Sequence, residues 1–117
     1  MEEGERSTVS DYIDHLSEIG AEDAAGLKKA QESYGDSWKK RGGTGAFMML
    51  ARKMDRLELQ AKNFNYDIFV AIEEDTRAEG IIDDIRDLRR YLMLVEAEMR
   101  AQGAMSAKST HRDNSHD

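Results

Sequence analysis

Six apolar residues near the end of the chain, Ile81, Ile85, Leu88, Leu92, Val95 and Met99, recur at alternating steps of four and three. That spacing follows the α-helical turn and not the two-residue repeat of a strand. The segment from about 81 to 101 must therefore be a helix with one side against other structure. Elsewhere no stretch alternates with period two, no internal repeat is visible, and the 117 residues include no proline to interrupt a helix. Apolar residues make up 39% and charged residues 35%, a balance that suits helices with solvated outer faces around a thin core. The expected fold is all-α: a compact bundle of four to five helices with a disordered C-terminal tail.

Composition shifts set the expected boundaries. Residues 1–6 read as a flexible acidic lead without the apolar stretch of a signal peptide. Residues 7–103 form one helical domain, and residues 104–117 form a polar tail with no periodicity. Ser7, Thr8 or Ser10 is expected to cap a first helix carrying Tyr12, Ile13, Leu16 and Ile19, with Gly20 ending it. A second helix, 22–33, has Leu27 as its one large anchor. The break from Tyr34 to Thr44 holds glycines, the only tryptophan and the run Lys39-Lys40-Arg41. Thr44 is expected to cap a third helix, 45–62, whose apolar side is Phe47, Leu50, Ala51, Met54, Leu57 and Ala61. Asn63 to Tyr66 reads as a turn, and Asp67 as the cap of a short helix anchored by Ile68, Phe69 and Ile72.

Charge and residue types exclude several classes. A net charge of −7 disfavours direct binding to duplex nucleic acid, so a polyanionic ligand needs a local basic cluster or bridging cations. Without cysteine there are no disulfides or thiolate metal sites. No apolar run approaches the ~20 residues of a membrane span, and the expected location is cytoplasmic. Two of the three histidines, His111 and His116, fall in the expected tail, which argues against histidine-based chemistry.

The acids of the closing helix are placed suggestively. At ~100° per residue, Asp84, Asp87 and Tyr91 line one shoulder of the apolar stripe. On the third helix, Glu58 falls within roughly 20° of Phe47, pointing at the core or along its edge, while Asp55 lies nearer solvent. If the two helices pack together, Glu58 faces Asp84 and Asp87, and oxygen ligands from two helices with room for water and phosphate are how Mg²⁺ is usually held. The alternative is an edge position for Glu58, paired with Arg52, Lys62 or Arg86, and a solvated flank for Asp84 and Asp87, paired with Arg86 or Arg90. Lys53 lies on the other shoulder, within reach of a bound phosphate. Tyr34 or Trp38 can stack a base beside the basic loop, or Trp38 can instead plug the core.

The order of these elements is distinctive: Tyr34-Gly35-Asp36-Ser37-Trp38, then Met54-Asp55-Arg56-Leu57-Glu58, then the run from Ile82 to Leu92 with Asp87-Leu88 and Tyr91. It resembles the phage nucleotide-modification-associated domain family (type 1), in which a Tyr-Gly-x-x-Trp element precedes a basic helix and a closing Asp-Leu-x-x-Tyr helix. That family is in turn distantly similar to MazG-type all-α nucleotide pyrophosphatases. The likeness spans residues 28–100. Asp84-x-x-Asp87 is similar to the second metal motif of those enzymes, and Asp55-x-x-Glu58 to the first with one acid fewer.

The resemblance implies a nucleotide-binding protein, a Mg²⁺-dependent pyrophosphatase that releases a nucleoside monophosphate and pyrophosphate. Asp55, Glu58, Asp84 and Asp87 would hold the metal, with Lys53 assisting at the phosphates. Tyr34, Asp36, Trp38, Lys39, Lys40, Arg41, Arg56 and Tyr91 would surround the substrate. A different reading is a non-catalytic interaction or nucleotide-sensing module that works by binding protein. Seven methionines suit irregular contact surfaces, and the few large anchors of the first helices point to a homo-oligomer under either reading.

Overall fold

A computed structural model describes residues 3–74 and 80–110, with side chains described over 11–74 and 80–104. The fold is all-α. Four helices run in order among the described residues: α1 (Glu3–Tyr34), α2 (Gly42–Lys62), α3 (Ile68–Glu74) and α4 (Ile81–Thr110), with a 3₁₀ turn over Ser37–Lys39 after α1. No described helix is long and apolar enough to cross a membrane. By its internal contacts the chain divides into two compact units, Met1–Lys40 and Arg41–Asp117.

The first unit is α1 and its 3₁₀ turn. We expected two helices divided at Gly20, but α1 is continuous through it. A glycine ends a helix by turning left-handed, and only Gly35 (φ 61°) and Gly42 (φ 74°) among the described glycines do so. At Gly20 the following Ala-Glu-Asp-Ala-Ala run favours helix and outweighs a glycine cost of about 1 kcal/mol. The end comes at Gly35, whose N–H donates to the Gln31 carbonyl at 2.8 Å and closes the last turn. Tyr12, Ile13 and Leu16 are exposed along α1, while Asp23 is buried.

In the second unit α2 and α4 form the main pairing, and α3 packs on α4. Its buried centre is Ala61, Ala71 and Ile81, with Leu57, Phe64 and Ile68 packed against them. Small side chains at Ala61 and Ala71 let the three helices approach closely. Between α2 and α3 the chain reverses through two left-handed residues, Asn65 (φ 56°) and Tyr66 (φ 65°). The Tyr66 N–H then reaches back to the Ala61 carbonyl at 2.8 Å. Asp67 caps α3 as expected, its Oδ1 accepting from the N–H groups of Phe69 and Val70 at 3.2 Å each.

The remaining helix ends differ from expectation. α2 starts at Gly42 with Arg41 as its cap residue, so Thr44 lies inside the first turn and does not cap it. α4 starts after Gly80, and Asp83 reaches back to accept the Gly80 N–H at 3.0 Å, one half of a capping box. At its other end α4 runs on to Thr110, past Gly103, because Ala104 to Lys108 favour helix as much as the residues before them. Residues 111–117 of the polar tail, including His111 and His116, lie outside the described residues, as do residues 75–79.

Candidate functional site

Charge pairs join α2 to α4. The Arg56 Nε donates to Asp84 Oδ1 at 2.8 Å, and the Lys53 ammonium lies 3.5 Å from Asp87 Oδ2. A step from Arg56 back to Lys53 on α2 matches a step from Asp84 on to Asp87 on α4, so the helices run antiparallel. Lys53 also sits over the Tyr91 ring, 5.6 Å from its centre, one turn further along α4. The shoulder of acids and tyrosine foreseen on α4 thus lies on the α2 seam.

Asp84 is 3% exposed, an unusual place for a carboxylate, and the guanidinium bond is what makes burial tolerable. Asp87 is half exposed and its longer contact to Lys53 is correspondingly weaker. Asp83 is committed to the helix start: besides capping Gly80, its other oxygen accepts from Arg86 at 2.5 Å.

Glu58 stands elsewhere. We expected it to point at the core beside Phe47 and Met54, and it does share their direction, but that direction is solvent. Phe47 is 64% and Met54 49% exposed. The side of α2 that meets α4 instead carries Lys53 and Arg56, paired with Asp87 and Asp84, and Leu57 and Ala61, packed with Ile81, roughly a quarter turn away. The sequence misleads here because a lysine occupies the contact side while a phenylalanine and a methionine do not. α4 is rotated likewise: Asp84 and Tyr91 meet Arg56 and Lys53 of α2, leaving Leu92 49% and Met99 65% exposed.

Glu58 and Asp55 are therefore exposed on α2 and do not join Asp84 and Asp87. Among the described residues no group of three or more His, Asp or Glu is gathered where it could hold a metal ion. A Mg²⁺ ion at Asp84 and Asp87 would have to displace the Arg56 and Lys53 contacts, and Glu58 as placed would give it nothing. The other expected substrate residues divide between the units. Tyr34, Asp36, Trp38, Lys39 and Lys40 belong to the first, with Tyr34 exposed and Trp38 half-buried in the 3₁₀ turn, whereas Arg41, Arg56 and Tyr91 belong to the second.

The two rotated stripes form a surface that sequence reasoning missed. Phe47, Ala51 and Met54 on α2, and Leu92 and Met99 on α4, are turned in the same sense about their own helix axes. In antiparallel helices equal senses of rotation bring both stripes to one side of the pair. The hairpin thus carries ion pairs along one edge of its seam and exposed apolar residues, Phe47, Met54, Leu92 and Met99, toward the other. Asp23 was also missed: it extends the line of Tyr12, Leu16 and Ile19 on α1, where an acid in an apolar register is the signal. No family model, no curated protein and no solved structure matches this chain.

Proposed function

We propose that this protein is a non-catalytic helical interaction module whose α2–α4 hairpin binds protein through its apolar side. The observation that carries the reading is the strip of Phe47, Met54, Leu92 and Met99, each about half exposed or more, on one side of an ion-paired hairpin. Large apolar side chains gathered on one side of a hairpin are unfavourable in water unless a partner covers them, which supports reading this side as a contact surface. Asp84 and Asp87, two of the four acids foreseen as metal ligands, act within this reading as struts that fix α4 on α2.

The alternative is the Mg²⁺-dependent nucleotide pyrophosphatase, favoured by Asp84, Asp87, Lys53 and Tyr91 meeting on one seam. Thermal unfolding with and without Mg²⁺ and a panel of nucleoside triphosphates separates the two. The interaction module keeps a flat melting temperature and releases no pyrophosphate; a ligand-dependent rise with pyrophosphate release replaces it with the enzyme. A positive test of the strip is bis-ANS fluorescence, expected to fall strongly in a Phe47→Asp/Leu92→Asp variant that keeps its helical circular dichroism. Unchanged dye binding would refute the strip.

A further inference from the structure

Of the three residues expected to anchor α3, only Ile68 packs against the core, on the side of the helix that buries Ala71. Phe69 is 83% exposed, more than any other large apolar side chain among the described residues, and Val70 and Ile72 are exposed with it. We infer that this outer face of α3 is a docking surface for a basic amphipathic helix of another protein. Its lysines or arginines meet Glu73 and Glu74, while its apolar residues cover Phe69 and Ile72. No residue of the α2–α4 strip takes part, so either surface can fail without the other.

The face follows from the short helix itself. At ~100° per residue, Ile72, Phe69, Glu73, Val70 and Glu74 succeed one another around the side turned away from Ile68 and Ala71. Glu73 thus lies between Phe69 and Val70, and Glu74 just beyond Val70. A helix that offers an apolar residue and a cation one turn apart matches both features at once. Tyr66, at the entry to α3, supports the same reading. Its φ of 65° is a left-handed conformation that bulky side chains rarely adopt. A glycine would suit that turn better, yet the ring is mostly exposed and packs little inside the fold. An aromatic side chain kept in water at a strained turn is placed for contact with something else.

Charge selects the partner. Between Lys62 and Arg77 the sequence holds Asp67, Glu73, Glu74 and Asp75 and no basic residue. Asp67 is committed to capping the helix start. Glu73 and Glu74 stand in the last turn of α3, where the helix dipole disfavours a carboxylate, and no basic residue shares that turn. A cation from outside would satisfy both acids and the negative end of the helix together. The same sign repels nucleic acids and anionic membranes. It also opposes a second copy docking by this face, since a two-fold contact sets the acids of one copy against those of the other.

The test is fluorescence anisotropy of a labelled helical peptide of leucine and lysine, beside its leucine–glutamate counterpart, each titrated with the full chain at physiological salt. The leucine–lysine peptide is expected to bind and the counterpart not to. Phe69→Ser and Glu73→Lys/Glu74→Lys are each expected to weaken binding roughly tenfold while helical circular dichroism is kept. The charge reversal should also raise the melting temperature, since cations suit a helix C-terminus, so a folding defect cannot account for its loss. Asp11→Lys/Asp14→Lys, which changes net charge equally on α1, is expected to leave binding within about twofold. A loss just as large in that control means that net charge alone draws the peptide, and overturns the surface. No binding, or equal binding of both peptides, overturns it too. Phe69-dependent sedimentation with phosphatidylcholine vesicles would replace the protein partner with a membrane. Binding lost in Phe47→Asp/Leu92→Asp but kept in the α3 variants moves the basic partner to the hairpin, so the α3 surface falls and the hairpin reading stands. Bis-ANS binding unchanged in Phe47→Asp/Leu92→Asp, with the α3 results intact, removes the hairpin reading alone.

Discussion

At the residue scale the Arg56–Asp84 pair in the second unit matters because one of its members is buried. Arg56→Met leaves the carboxylate with its strongest cation removed and is expected to cost about 2 kcal/mol in chemical denaturation. Replacing both partners, Arg56→Met with Asp84→Leu, recovers much of that loss, since a buried ion pair contributes little net stability over an apolar pair of similar size. A double-mutant cycle reads the coupling, and additive losses would refute it. Neighbouring glycines make a second contrast. A Cβ at Gly43 meets nothing within 4 Å, but at Gly45 it falls 2.7 Å from the Arg41 Cβ, which cannot swing aside. Gly43→Ala should therefore raise the melting temperature by the intrinsic helix gain of up to about 1 kcal/mol, and Gly45→Ala should lower it. On α1, the exposed His15 sits 2.9 Å from Glu18, whose carboxylate holds the imidazole above its usual 6.5. The raised value means that the pair favours folding below the ordinary histidine range and that this favour fades as pH rises through the folded value. Proton NMR should place the His15 midpoint above 6.5, and Glu18→Gln should bring it back down.

At the scale of elements, the sequence was legible wherever one local interaction decides the outcome. Asp67 caps α3 because a short acceptor precedes free N–H groups, a pattern readable without any fold. The turn over Asn63 to Tyr66 and the break after Tyr34 are of the same kind. Asp67→Ala is accordingly expected to cost about 1 kcal/mol, measured by urea denaturation. What was not legible depended on which side of a helix meets which neighbour. Periodicity found the apolar stripes of α2 and α4, and Leu57, Ala61 and Ile81 of those stripes do pack in the core, yet the helices are turned so that charged side chains pair between their flanks, Arg56 with Asp84 and Lys53 with Asp87. That rotation moved Glu58 from the core into solvent, and the proposed metal ligands parted with it. Gly20 failed as a helix end for a related reason: a glycine terminates a helix only where the next turn gives the chain a reason to leave, and the alanine-rich run beyond it does not.

At the scale of the whole molecule, net charge opposes the association that the apolar strip favours. Each copy carries −7 near neutral pH, so two copies repel across tens of ångströms at low ionic strength, whereas the strip acts only in contact. Added salt is therefore expected to tighten self-association through the strip, the reverse of an association held by surface ion pairs. Lowering the pH from 7 toward the isoelectric point near 5.0 should act in the same direction by removing net charge while leaving most glutamates ionised. Two observables keep this distinct from precipitation of a near-neutral protein. The mass must level off at two copies, because a two-fold contact uses up both strips and leaves nothing for a third. The effect must also vanish in Leu92→Asp, which keeps the charge balance close to that of the wild type while spoiling the seam. A mass that grows without limit as pH falls, or a dimer that loosens steadily with salt, would mean that surface charge and not the Phe47–Leu92 strip brings the copies together.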